Sequence, residues 1–91
     1  SAVITLVLDG TGALLAEPQL SGPGLLTDSE EDQELRLEII DGVVAAIEGL
    51  PRSRKRDDAE VRAAAAHAVR RVLHDNRGKK PATDVHLVRV D

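Results

Sequence analysis

The groups in this 91-residue chain that could do chemistry are three histidines, sixteen carboxylates and twelve Lys or Arg side chains. A metal or hydrolytic site needs several of them to converge. His67 and His74 lie seven residues apart on one predicted helix, about 10 Å along its axis, which is too long for a shared ion. Arg70 and Arg71 stand beside them and disfavour added positive charge. His86 shares a strand face with Asp84, two residues before it, which is little to build a metal site on. All three histidines read as surface or interface residues. Ser1, Ser21, Ser29 and Ser53 fall in turns, caps or at the terminus, without a Gly-x-Ser-x-Gly elbow. Gly10-x-Gly12 and Gly22-x-Gly24 are too short for a phosphate-loop fingerprint. The chain has no cysteine, which excludes disulfides and thiolate ligands. No active site and no cofactor are expected here.

Electrostatics offer more. Arg52, Arg54, Lys55 and Arg56 form a basic run between two predicted helices, and Lys79 and Lys80 precede the last strand. Such side chains can hold phosphates of RNA or an acidic partner, with affinity that falls steeply in salt. The chain has no Phe, Tyr or Trp, so it lacks the stacking platforms of single-strand binders. Any RNA contact is expected to be electrostatic and tolerant of sequence. A KH-type reading requires Gly-x-x-Gly between paired helices. The segment here is Gly49-Leu-Pro-Arg-Ser-Arg, and that reading is set aside.

The elements that must position these groups follow from the apolar pattern. Ala2–Leu8 is apolar and β-branched, hence a strand. Asp9-Gly10-Thr11-Gly12 reads as a hairpin turn, with Ala13–Leu20 returning as a more polar strand that Pro18 places at an edge. A first helix starts near Thr27–Ser29, where Ser29 with Asp32, or Thr27 with Glu30, offers a capping box. Leu37, Ile40, Val43, Val44 and Ile47 give it an apolar face, and Gly49 with Pro51 stops it. A second helix takes Asp57 as N-cap, and Val61, Ala64, Ala65, Ala68, Val69, Val72 and Leu73 as its apolar series. Gly78 is its expected C-cap. Gly42 and the alanines of both helices would allow close approach. Val85–Val90 closes the chain as a strand. The predicted fold class is α+β, a two-layer β-β-α-α-β arrangement with two helices on one face of a three-stranded sheet.

Size and charge bound the rest. Residues 1–91 make one small domain, which buries only about 60–65% of its unfolded surface. Residues 1–50 carry ten acids and one base, Arg36, for a net −9, whereas residues 51–91 carry eleven bases and six acids, for +5. No apolar run approaches eighteen residues, so no membrane role is expected and a cytoplasmic location is. Without a methionine to begin on, the chain reads as a piece of a larger protein.

Two helices can cover only one face of such a sheet. The first strand is nevertheless apolar on both faces, and the last strand has Val85 and Leu87 on one parity, Val88 and Val90 on the other. One-sided sheets normally alternate with polar residues outward. The uncovered face is therefore expected to be an association surface, with Val3, Thr5, Val7, Val85, Leu87, Val88 and Val90 as candidate interface residues.

Several of these features together resemble the C-terminal domain of bacterial ribonuclease J, the alphaproteobacterial version most closely. They are Asp9-Gly10, the acidic first helix, Leu50-Pro51-Arg-x-Arg, the charged second helix, Gly78-Lys79-Lys80-Pro81 and the terminal strand. The resemblance implies a parent enzyme of the metallo-β-lactamase/β-CASP class that processes and degrades RNA as a 5′-to-3′ exonuclease and endonuclease. Its zinc ions would be held by a His-x-His-x-Asp-His motif that this chain lacks, so no catalytic or metal residue carries over. The resemblance further implies a role in assembling a homodimer or tetramer together with the parent's catalytic domains. The competing expectation is an electrostatic RNA-binding module that uses the basic interhelical loop.

Overall fold

The computed structural model describes residues 1–91. Six elements follow one another: β1 (Ala2–Asp9), β2 (Gln19–Ser21), α1 (Glu30–Glu48), α2 (Arg52–Lys55), α3 (Asp58–Arg77) and β3 (Thr83–Val90). The sheet order is β2-β1-β3, with β1 in the centre. β1 pairs antiparallel with β2 and parallel with β3, the latter over a full eight-residue register from Ala2–Thr83 to Asp9–Val90. A parallel neighbour cannot be reached by a tight turn, and the two long helices supply the crossover. The expected α+β architecture, with both helices on one face of the sheet, is present.

The core lies between the sheet and the helices. Ala2, Ile4, Leu6 and Leu8 alternate along β1 with almost no exposure, as a strand's two-residue period requires. They meet Leu35, Ile39, Val43 and Ile47 of α1 and Val61, Ala65, Ala68, Val69, Val72 and Leu73 of α3. The buried line on α1 is thus a run of i, i+4 steps. Leu37, expected in that face, is 57% exposed. It sits two residues, and about 200°, round the helix from Leu35, so it cannot share the same partner. Gly42 faces Val72 of α3, and a Cβ there would lie 3.4 Å from Val72 Cγ2, an ordinary contact that does not by itself require glycine.

The caps follow the sequence closely. The Ser29 hydroxyl accepts from the Asp32 N–H at 3.1 Å, and Asp57 Oδ1 accepts from the N–H groups of Ala59 and Glu60. Gly78 ends α3 in the left-handed conformation, φ 67°, donating to the His74 carbonyl. The capping box at Ser29 is only half closed, because the Asp32 carboxylate turns away to other partners described below.

The expected second strand is largely absent. Instead of Ala13–Leu20, only Gln19–Ser21 pairs regularly with β1, with one isolated bridge between Leu14 and Leu8. The cause is the loop that precedes it. Asp9 Oδ1 accepts from the Thr11 N–H, the Thr11 hydroxyl and the Ala13 N–H, which pulls the chain into a compact turn rather than a two-residue hairpin. These donors also lower the Asp9 pKa, the Thr11 hydroxyl most of all. Positive φ falls at Gly12 (95°), not at Asp9 or Gly10. A Cβ at Gly12 would lie 2.4 Å from Lys55 Cβ, so this glycine lets α2 seat against the turn. Pro18, which has no N–H to give a ladder, delays pairing until Gln19.

Candidate functional site

Register decides which apolar residues face outward. In a parallel pair, opposed residues share a face. Val85 and Leu87 therefore stand with Ile4 and Leu6 on the helix side, where both pack against the core. They leave the candidate interface, because the helix layer already occupies the face they were expected to offer. Val3, Thr5 and Val7 lie on the other face, beside Ser21 and Gln19 of β2 and Asp84, His86 and Val88 of β3. Val90 closes that row at 46% exposure. The Leu14–Leu8 bridge sets Leu15 opposite Val7, whose carbonyl accepts the Leu15 N–H at 2.8 Å. Leu15 is 53% exposed and belongs to this face. Its predicted membership of a polar strand concealed it. The open face is thus a valine and leucine stripe that turns polar at the Asp84–His86 end.

The six basic positions do not form one patch. Arg52, Arg54, Lys55 and Arg56 sit at the N-terminal end of α3, Lys79 and Lys80 beyond its C-terminal end. Twenty helical residues separate the two groups by about 30 Å. Arg52, Lys55 and Arg56 line a groove of about 370 Å³ with Thr11 and Ala13. Lys80 instead joins His67, Arg70, Arg71 and His74 along a groove of about 460 Å³ on the outer face of α3. In the sequence Arg70 and Arg71 stand out only as neighbours that deter a metal at the histidines. Their i, i+3, i+4, i+7 spacing with His67 and His74 was the signal that could have grouped them.

Two tie points hold this frame together. Asp32, nearly buried, accepts from the Thr27 N–H at 2.7 Å and the Thr27 hydroxyl at 2.8 Å, and pairs with the Arg77 guanidinium. The Thr27 N–H, the Arg77 hydrogen bond and the Thr27 hydroxyl bring its pKa down to about 2, and the same bond raises that of Arg77. At the opposite end Arg89 donates to Asp58 Oδ1 at 2.9 Å, to the Asp9 carbonyl at 3.1 Å and to the Lys55 carbonyl at 2.7 Å. One side chain so joins β3, β1, α2 and α3. The single base of the acidic half, Arg36, donates to the Leu20 carbonyl at 2.8 Å and fastens α1 to β2.

No three His, Cys, Asp or Glu side chains are placed to hold a metal ion. The residues of this chain do not fit the zinc that the resemblance implies for the parent. No helix is long and apolar enough to cross a membrane.

The family described as ribonuclease J C-terminal domain matches residues 1–90. A Ribonuclease J of Sinorhizobium meliloti is 30% identical over 87 residues, which cover 96% of this chain and 15% of that protein. With a match across nearly its whole length, the chain belongs to the ribonuclease J C-terminal domain family.

Proposed function

We propose that this domain is a non-catalytic oligomerisation and docking unit of an RNA-processing and RNA-degrading ribonuclease, working in the cytoplasm through its open sheet face. The observation that carries this reading is the parallel β1–β3 pair, bare on one side. A sheet side left to water normally alternates with polar residues. Here Val3, Val7, Leu15, Val88 and Val90 remain on the uncovered side. Each methylene removed from water is worth about 0.8 kcal/mol, and a second copy presenting the same stripe is the simplest cover. The domain is assigned no chemistry of its own, and zinc-dependent hydrolysis is assigned to the catalytic part of the parent.

Light scattering of the chain across a concentration range tests the proposal. A mass of twice 9.7 kDa or more is expected. A mass that stays at the monomer value at the highest concentration would refute self-association through this face.

A second reading, RNA binding by the interhelical loop, is supported by Arg52, Arg54 and Arg56 being exposed and without an acidic partner. It now stands without Lys79 and Lys80, which lie at the far end of α3. A salt-dependent RNA titration with those three arginines neutralised would test it. Binding left intact would discard it.

A further inference from the structure

We propose that the outer face of α3 is a phosphate track, on which the backbone of an RNA strand lies independently of the interhelical loop. The groove of about 460 Å³ there has walls made by His67, Arg70, Arg71, His74 and Lys80. Its floor is Ala63 and Ala66, whose side chains end at Cβ and leave room for a chain to lie close to the helix. These positions point directly away from Val61, Ala65, Val69 and Val72, the buried side of α3. Neighbours three or four apart on a helix stand about 5–6 Å from one another. From Ala63 to His74 the track runs about 16 Å along the axis.

Its charge meets an acid only at the His74 end. The ion pairs of the chain are His74 with Asp75, Arg77 with Asp32 and Arg89 with Asp58, which leaves Arg70, Arg71 and Lys80 without an acidic partner. No acid occurs from Val61 to His74. The basic turn at α2, by contrast, is followed at once by Asp57, Asp58 and Glu60. Compensation of the helix dipole does not account for the arginines, because that effect fades within the last turn. Arg77 already serves there while bound to Asp32. A free guanidinium presents a planar fork of donors that matches phosphate oxygens. With no aromatic residue in the chain, contact would be to phosphate and sugar rather than stacked bases.

Choosing RNA among polyanions rests on membership of a ribonuclease domain family and not on the sheet-face docking role. Either can therefore fail alone. The other anionic surface that could seat here is the α1 of a second copy, which carries Glu30, Glu31, Glu34 and Glu38.

Fluorescence anisotropy with a labelled twelve-nucleotide oligouridylate, titrated over a series of salt concentrations, tests the track. Arg70→Gln/Arg71→Gln is expected to weaken binding about tenfold and to reduce the slope of log affinity against log salt by about 1.4, or 0.7 for each phosphate contact on a single strand. Arg52→Gln/Arg54→Gln/Arg56→Gln, at the other end of α3, should leave the loss caused by Arg70→Gln/Arg71→Gln unchanged, as two independent sites require. Should the double variant lose its circular dichroism signature, Lys80→Gln, outside every helix, carries the test with an expected slope loss of about 0.7. Unchanged affinity and slope in the folded variant would overturn the proposal, as would a wild-type chain that ignores RNA at low salt. Sedimentation altered by the double variant, with RNA binding intact, would assign the groove to the acidic helix of a second copy and overturn it equally.

Discussion

The two faces of β1 are made from one eight-residue strand and end in different places. Ile4, Leu6 and Leu8 are sealed beneath α1 and α3, whereas Val3, Thr5 and Val7 look out from the centre of the sheet. The side chains differ in kind as well. The sealed face carries the longer Ile and Leu, which fill the space between layers, and the open face carries short β-branched residues that lie flat on the pleat. A strand built to face water on one side would alternate with charge. β1 instead suits a sheet whose second side meets another protein surface.

Substitutions can break or sharpen this contrast. Leu6→Ala, on the sealed side, is expected to cost about 2–5 kcal/mol by opening a cavity that its neighbours cannot fill, read as a lower urea midpoint. A cost under 1 kcal/mol would mean that the helix layer is loose. Gly12→Ala comes next. It forces a Cβ into Lys55 at a backbone φ of 95°, and more than about 1 kcal/mol should be lost. That loss probes the turn that opens beside the outward face.

Asp32 comes third and acts through acid. Its folded pKa of about 2 lies below its ordinary 3.8, so the stabilisation it gives is complete above the unfolded value. It is lost as pH falls from there through about 2. Asp32→Asn should flatten the acid limb of thermal stability while leaving its shape near neutrality unchanged. An unaltered acid limb would deny the Asp32–Arg77 tie. The smallest effect is expected on the open face. Val7→Thr keeps the shape and should alter monomer stability by less than about 1 kcal/mol, since no helix packs on that methyl group.

Much of this was legible in the residues. Asp57 and Gly78 marked the ends of α3, Ser29 marked the start of α1, and the order of elements followed from periodicity. What was not legible depended on partners. Apolar residues occur on α1 at 35, 37, 39, 40, 43, 44 and 47, too wide an arc to say which line the core would take. Packing against α3 and the sheet selected Leu35 and Ile39 and left Leu37 outside. Both parities of β3 are apolar, so only pairing with β1 could separate Val85 and Leu87 from Val88 and Val90. The shortness of β2 came from the Asp9 carboxylate, whose hydrogen bonds no strand pattern reveals. Arg70 and Arg71 are visible in the sequence, but their shared groove with Lys80 depends on how the chain turns back after Gly78.

Sedimentation velocity on the wild-type chain and on Val7→Asp measures the contrast between the two faces most directly. The wild type should sediment as a dimer or larger species. Val7→Asp, with its circular dichroism unchanged, should sediment as a monomer, because a carboxylate cannot be buried unpaired in an apolar interface. Identical sedimentation of the two proteins, or a monomeric wild type, would contradict the assignment of the outward face as the place where copies meet.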